Sequence, residues 1–133
     1  MPSRREAVTK TVDQIMKAVE GVGLSEDQRA NFAVAVTEAL SNAAVHGNRL
    51  RPDRTVDVVV TATPRREATV EVRDSGPGFD ASTLADPTEP SRVLKPGGRG
   101  VFLMQHLVDR LEYKGSGNCV CLTMFCKPRK QGG

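Results

Sequence analysis

Three polar side chains recur every four residues in an alanine-rich stretch of the chain: Glu38, Asn42 and His46. At about 100° per residue, each step of four drifts only about 40° around a helix, so the three share one helical face. A carboxylate can accept a proton from a hydroxyl, and an amide oxygen can bind a hard cation. A solvated face would carry long charged side chains, whereas neighbours such as Ala39 and Ala43 are small enough to let a ligand approach.

Two glycine-rich corners follow further along the chain. Asp74 leads into Gly76 and Gly78, where a carboxylate can accept a hydrogen bond from an exocyclic amine while the glycines let the backbone come close. The segment 97–100 precedes a helical pattern, where free N–H groups favour phosphate and Arg99 adds a planar fork. Each corner alone also suits an ordinary turn or helix start, and His46 alone suits a helix end.

Together these groups match the needs of a nucleotide. A phosphate chain binds backbone N–H groups, its magnesium binds hard oxygen ligands, and an adenine amino group donates to a carboxylate. Asn42 is the candidate for the metal and Asp74 for the adenine. Glu38, one turn from Asn42, is placed to deprotonate a hydroxyl or a water, as phosphoryl transfer requires.

Two helices are expected to position the first motif. An S-x-x-E pattern at Ser3 predicts a capping box that starts the first helix, which glycines near residue 21 end. A second capping box at Ser25 starts a longer helix, for which Gly47 is the predicted left-handed stop and Asn48 a cap. The apolar ridge of this second helix consists of Phe32, Val36 and Leu40.

Alternating apolar residues predict the strands. Val56 to Thr63 and Ala68 to Arg73 have period two and form an antiparallel hairpin. Helical spacing resumes at Val101 and continues to Leu111, and a last hairpin pairs 111–114 with 119–126. The order of elements predicts a single α+β domain over residues 1–133. It is a two-layer sandwich with the helices on one face of a mixed, mostly antiparallel sheet.

Two segments are expected to lie outside this framework. The stretch that follows Asp74 has no sustained period and contains four prolines before Gly98. Loops of this length in compact domains are usually functional, so we predict a lid over about residues 80–97. The tail 128–133 is polar and ends in glycine, so it is expected to fray.

Composition restricts the class of protein. The 133 residues suit one domain, and the net charge of +3 arises from 19 basic residues scattered among 16 acidic ones. With 4% aromatics and no Trp, direct nucleic-acid binding is not expected. No apolar run approaches the ~20 residues of a membrane span, and the N-terminus leads into an amphipathic helix, so we expect a cytoplasmic protein without a membrane segment.

The three cysteines lie close together near the C-terminus. Cys119, Cys121 and Cys126 have neither the spacing of a zinc site nor that of a C-x-x-C redox pair. They are interpreted as buried strand residues. A redox-sensitive pair of Cys119 and Cys121 stays open as the alternative.

Three motifs, taken in this order, resemble the GHKL ATPase superfamily. They are E-x-x-x-N-A-x-x-H-G-N from Glu38, D-x-G-x-G-F from Asp74, and G-R-G-V-F-L-M from Gly98, which resemble its N, G1 and G2 boxes. The likeness is greatest to small bacterial serine/threonine kinases of the anti-sigma-factor type, and it implies a Bergerat-type ATP-binding fold. Such proteins usually begin with a strand, for which Pro2 and Ser3 leave no room. The edge of the sheet and a homodimer contact through it therefore stay open.

The resemblance implies a role for each motif residue. Glu38 would be the catalytic base, Asn42 the magnesium ligand, and Asp74 the carboxylate that binds adenine. Thr123, on the last long strand, would reach the adenine side, although a core role fits its neighbours equally. Phe79 would form a wall beside the base. The other implied ATP-binding residues are His46, Gly76, Gly78, Gly98, Arg99, Gly100, Val101 and Phe102, of which 98–100 would hold the phosphates.

The implied function is that of an Mg-ATP-dependent serine/threonine kinase that acts as an anti-sigma factor. It would phosphorylate an anti-sigma antagonist and regulate a sigma factor by partner switching. A non-catalytic ATP-binding interaction module carries the same boxes and stays open as the alternative. The ATPase half of a histidine kinase fits less well, because no phosphoacceptor-histidine helix precedes the boxes. Gyrase and chaperone relatives carry extra domains beyond the point where this chain ends.

Overall fold

The computed structural model describes residues 1–76, 104–114 and 118–126. The chain begins with helix α1, Arg5–Ala18, a short 3₁₀ turn, Glu20–Val22, and helix α2, Glu26–Ser41, which continues as a π-helical segment, Asn42–Gly47. The strands are β1, Asp57–Thr63, β2, Glu67–Arg73, β3, Arg110–Lys114, and β4, Cys119–Phe125. Residues 104–107, before β3, are helical.

The four strands form one sheet in the order β1-β2-β4-β3. Every pairing among the described strands is antiparallel, with Val70 opposite both Val60 of β1 and Leu122 of β4. The predicted first hairpin is confirmed as β1-β2, and the last as β3-β4. The α+β class is confirmed as well.

One face of the sheet packs against the two helices. The inward residues of β2, Ala68, Val70 and Val72, are at most 1% exposed, because successive strand side chains point to opposite faces and these three point at the helices. The predicted ridge of α2 lies opposite them, with all three of its side chains fully buried. Residues of this core shared by helices and sheet include Ile15, Phe32, Val36, Leu40, Val70, Val72, Leu122 and Met124.

Strand β1 is an edge of the sheet, and its predicted inward face is only partly covered. Val56 is fully buried, Val58 and Val60 are half-buried, and Ala62 is exposed. The first residues of the chain pair with the start of this edge, where Pro2 forms an isolated antiparallel bridge with Thr55. An N-terminal strand is thus represented, among the described residues, by a single bridge.

The two predicted capping boxes have different outcomes. At Ser25 the box is confirmed, since the hydroxyl accepts a hydrogen bond from Gln28 N and the Gln28 side chain accepts one from Ser25 N. At Ser3 the prediction was wrong: Arg4 precedes α1 and no side chain caps it. The Ser3 hydroxyl instead donates to the carbonyl of Arg54 at 2.6 Å, because the N-terminus folds back on the loop before β1.

The prediction for Leu111 needs correction, and the prediction of buried cysteines is partly confirmed. Leu111 belongs to β3 rather than to the preceding helical line, since residues 108 and 109 already leave the helix. Cys119 is buried, while Cys121 and Cys126 are only half-buried.

The predicted lid over 80–97 and the tail 128–133 lie outside the described residues. Within the described ranges, no helix is long and apolar enough to span a membrane.

Candidate functional site

Glu38 and Asn42 lie one above the other at the end of α2. The backbone N–H of Asn42 donates to the carbonyls of Glu38 and Ala39, so the α-helical spacing that puts positions 38 and 42 on one face is present. Both side chains are half-buried, and neither forms a hydrogen bond to another residue of the described part of the chain. A carboxylate and an amide oxygen are therefore available side by side.

His46, the third polar residue of the predicted face, lies in a different type of helix. From Asn42 to Gly47 the helix is of π type, with more residues per turn than an α-helix. His46 is exposed, whereas Glu38 and Asn42 are half-buried. That His46 shares the face of the other two residues stays a prediction. Short π segments inside helices often occur at functional sites.

Gly47 does not serve as the left-handed stop that the sequence predicts. The positive φ angles follow it, at Arg49 (54°) and Leu50 (58°), and Gly47 is absent from the positive-φ residues of the described chain. Its glycine identity has another cause, since a Cβ at this position would lie 2.6 Å from Asp74 Oδ1. The end of the π segment thus packs directly on the carboxylate of Asp74.

Asp74 follows β2 and is held in a tight turn. Its Oδ1 accepts a hydrogen bond of 2.7 Å from Gly76 N, and a Cβ on Gly76 would lie 2.9 Å from the same oxygen. No hydrogen bond within the described ranges reaches Oδ2. Burial raises the pKa of this carboxyl above its ordinary value, against the opposing effects of the Gly76 N–H and of Arg54. As far as residues 1–76, 104–114 and 118–126 are concerned, one oxygen of this half-buried carboxylate can accept a further hydrogen bond.

Two asparagines that the sequence analysis did not place in the site hold Asp74 from opposite sides. Asn118, just before β4, accepts from Asp74 N at 2.9 Å, and its Nδ2 donates to the Asp74 carbonyl at 3.1 Å. Asn48 accepts from Ser75 N at 2.7 Å through Oδ1 and is fully buried. Asn48 is also the residue that caps the end of the π segment, as the sequence predicts. The sequence signal for both is weak, since a buried Asn is unusual but its burial is not visible in the sequence.

Thr123 does not lie with these residues. It pairs with Thr69 in the middle of the sheet, and their hydroxyls are 3.4 Å apart. Its neighbour Leu122 belongs to the core on the helix side, so Thr123 faces the opposite side of the sheet from Gly47 and its contact with Asp74. It is also five residues along β4 from Asn118, a separation of roughly 16 Å. The structure therefore does not bring Thr123 next to Asp74, and Asn118 takes that position.

The rest of the predicted ATP-binding residues lie outside the described ranges. This set comprises Gly78, Phe79, Gly98, Arg99, Gly100, Val101 and Phe102. Among residues 1–76, 104–114 and 118–126, no group of three or more His, Cys, Asp or Glu side chains could hold a metal ion. Asn42 would thus contribute a single ligand, which suits magnesium because that ion usually keeps several waters and binds phosphate oxygens.

The described part of the site consists of two oxygen groups on one helix and a carboxylate pressed against the end of that helix. The helical pair could hold a cation and accept a proton, and the carboxylate could bind an amine. Gly47 and Gly76, which carry no side chains, allow the two motifs to touch. This arrangement suits a nucleotide lying along the end of α2 better than any site built from one motif alone.

Two relatives of this chain are serine-protein kinases. Serine-protein kinase RsbW of Staphylococcus aureus (strain bovine RF122 / ET3-1) is 27% identical over 135 residues, covering 93% of this chain and 85% of that protein. RsbW of strain MRSA252 shows the same identity and coverage.

Two solved structures share the fold. The histidine kinase domain of the Erythrobacter litoralis EL346 blue-light activated histidine kinase matches with a TM-score of 0.54 and 16% identity, covering 95% of this chain and 61% of that one. The mycobacterial sensor histidine kinase MprB matches with a TM-score of 0.53 and 15% identity, covering 92% and 95%. At these identities the likeness concerns the fold alone.

A family model, described as the histidine kinase-like ATPase domain, matches residues 1–124, which is most of the chain. The resemblance carried by the three motifs is thereby confirmed. The chain belongs to the histidine kinase-like ATPase domain family.

Proposed function

We propose that this protein is an Mg-ATP-dependent serine/threonine protein kinase. The observation that carries the proposal is the contact between Gly47 and Asp74. It joins the helix bearing Glu38 and Asn42 to a half-buried carboxylate, one oxygen of which accepts no hydrogen bond from the described residues. Further support comes from the RsbW relatives, which are named serine-protein kinases. The family supplies the ATP-binding framework.

Nucleotide binding would use the two ends of this contact. Asp74 Oδ2 would accept a hydrogen bond from the adenine amino group, while Oδ1 stays on Gly76 N. Asn42 would bind magnesium through its amide oxygen. Magnesium, when bound with ATP, would neutralise charge on the phosphates. Residues 98–100 of the third motif are proposed to hold those phosphates.

Glu38 would perform the proton transfer. Its carboxylate lies one helical turn from Asn42 and has no hydrogen-bond partner in the described part of the chain. Glu38 would take the proton of a serine or threonine hydroxyl on the acceptor protein as that oxygen attacks the terminal phosphorus of ATP. The new bond is the phosphate ester, ADP leaves, and the proton stays on Glu38.

The partners follow from the resemblance to anti-sigma-factor kinases. The phosphoacceptor is proposed to be a small anti-sigma antagonist, and the protein would also bind a sigma factor or a similar regulator. Phosphorylation of the antagonist would change which of the two partners is bound. A homodimer remains a prediction.

The test is a transfer assay with radiolabelled ATP and the small regulatory proteins encoded beside this one. The expected result is label on one acceptor, with Glu38→Gln lowering the transfer rate by about 100-fold or more while ATP still binds, because general-base catalysis contributes that much. Glu26→Gln, which removes an exposed carboxylate from the first turn of the same helix, is the matched control and should retain transfer. ATP binding without transfer, unchanged by Glu38→Gln, would identify a non-catalytic ATP-binding module instead.

A further inference from the structure

Asn48 is a fully buried polar residue whose side chain bonds three segments that are distant in the sequence. Its Nδ2 donates to Ser3 Oγ at 2.9 Å and to the carbonyl of Thr55 at 3.0 Å. Its Oδ1 accepts from Ser75 N at 2.7 Å. These partners lie before α1, before β1 and after β2. Both hydrogens of the Asn48 amide group are used, and its oxygen holds the residue next to Asp74.

The hydrogen bonds around Asp74 show what this oxygen does. On one side Asn118 binds both the N–H and the carbonyl of Asp74. On the other side Asn48 binds the N–H of Ser75. The peptide groups on both sides of the Asp74 Cα are thereby held, which limits rotation of its backbone and fixes the direction in which its carboxylate points.

Asn48 is itself fixed to the helix that carries the rest of the site. Its backbone N–H donates to the carbonyl of Ala43 at 2.8 Å, which closes the π segment that begins at Asn42. The next two residues, Arg49 and Leu50, have left-handed backbones although neither is glycine. Such conformations cost free energy and persist only where the surrounding contacts impose them. The buried bonds of Asn48 are contacts of that kind.

We propose that Asn48 is a positioning residue that sets nucleobase discrimination by holding the Asp74 carboxylate in register with the end of α2. Asn48 does not touch the nucleotide, because it is fully buried and its side-chain groups are bonded within the protein. The role needs an amide, since one group must donate to Ser3 and Thr55 while accepting from Ser75. The inference rests on the proposed function, in which Asp74 accepts from the adenine amine.

The test compares ATP with purine riboside triphosphate, which lacks the exocyclic amine. The ratio of their dissociation constants, measured by calorimetry, reports only the interaction with that amine. The ratio is the dissociation constant of purine riboside triphosphate divided by that of ATP. It should fall at least fivefold toward one in Asn48→Ala, because Asp74 loses its fixed direction. Ser3→Ala is the matched control: it removes a different bond of the same cluster and keeps the bond to Ser75, so its ratio should stay within twofold of the unaltered protein.

A uniform loss of affinity for both nucleotides in Asn48→Ala, with the ratio unchanged, would overturn the proposal and leave Asn48 a purely structural residue. Asp74→Asn distinguishes a failure of the proposed function of Asp74 from a failure of the proposed role of Asn48. If Asp74→Asn leaves the ratio unchanged, the proposed function of Asp74 fails. If Asp74→Asn brings the ratio to one and Asn48→Ala leaves it unchanged, only the proposed role of Asn48 fails.

A second measurement needs no variant. Amide hydrogen exchange at Ser75 in the unaltered protein should be slow, since that N–H is bonded to a buried side chain, and ATP should slow it more than purine riboside triphosphate does. Exchange at Ser75 as fast as in an exposed turn, with and without ATP, would contradict the proposal even if Asn48→Ala fails to fold.

Discussion

At the scale of single residues, Gly47 shows how a missing side chain can define a site. Gly47→Ala would place a methyl group against the Asp74 carboxylate, which must then turn away. We expect ATP affinity to fall about tenfold or more, with a loss of about 1–3 kcal/mol in the free energy of unfolding from overpacking. Gly21→Ala is the control, because a Cβ there meets nothing within 4 Å. Equal ATP affinity of the two variants, measured by calorimetry, would show that the contact between Gly47 and Asp74 does not matter for binding.

The ionised carboxylate of Asp74 is expected to lower the free energy of unfolding while it contributes to ATP binding. Because burial raises its pKa, the folded protein keeps this proton at pH values where the unfolded chain, with the ordinary pKa of an aspartate, has lost it. Its contribution to stability therefore decreases as pH rises from the unfolded pKa through the folded pKa. Asp74→Asn keeps the acceptor for Gly76 N but cannot ionise. The free energy of unfolding of the variant, minus that of the unaltered protein, should rise over that pH window and then level off. The ATP affinity of the variant at pH 7 should fall about tenfold or more.

Thermal unfolding at a series of pH values measures the first effect and calorimetric ATP titration the second. A stability difference that does not change with pH would mean that the Asp74 pKa is the same in the folded and unfolded states. Retained ATP affinity would remove Asp74 from the nucleotide site. Asp13→Asn, an exposed position in α1, is the control for a carboxylate outside the site.

At the scale of elements, α2 connects the site to the rest of the fold. Its N-terminus is fixed by the Ser25 capping box, and Gln28 Nε2 also donates to the carbonyl of Phe125 at the end of β4. We expect Ser25→Ala to lower the free energy of unfolding by about 1 kcal/mol, measured by urea denaturation. Ser25→Asp, which keeps an acceptor oxygen and adds a favourable charge at the helix start, should retain stability. Equal losses in both variants would show that the cap contributes nothing beyond local packing.

The elements also show which features the sequence could predict. The ridge of α2 and the inward face of β2 are local patterns of period 3.6 and 2, and both are confirmed because each needs only one packed face to form. The two serine boxes look alike in sequence, yet the Ser3 hydroxyl binds Arg54, 51 residues away. Such a partner exists only after the chain has folded.

The same limit applies to the site. Glu38 and Asn42 could be placed on one helical face because their spacing is local, whereas the π segment that contains His46 is not visible in that spacing. The sequence predicts Asn48 only as a cap, because its side-chain partner Ser75 is 27 residues further on. An adenine-side role for Thr123 is implied only by the resemblance. The register of β4 puts Asn118 next to Asp74 instead.

At the scale of the whole molecule, the candidate site joins parts of the chain that are far apart in sequence. The end of α2, the end of β2 and the start of β4 all meet at Asp74, and the N-terminus joins them through Ser3 and Asn48. A ligand bound there would oppose the unfolding of the entire domain rather than of one loop. Its effect should therefore appear in global thermal stability.

Mg-ATP at 100 times its dissociation constant is expected to raise the free energy of unfolding by about 2.7 kcal/mol, measured as an upward shift in Tm. GTP should give a smaller shift, because its carbonyl would face the Asp74 carboxylate where adenine presents a donor. Removing magnesium with a chelator should reduce the ATP shift in the unaltered protein. In Asn42→Ala the chelator should change little, while the preference for ATP over GTP remains, since Asn42 and Asp74 bind different parts of the nucleotide. If Asn42→Ala abolished the preference for ATP over GTP and left the effect of magnesium intact, the roles proposed for Asn42 and Asp74 would be wrong.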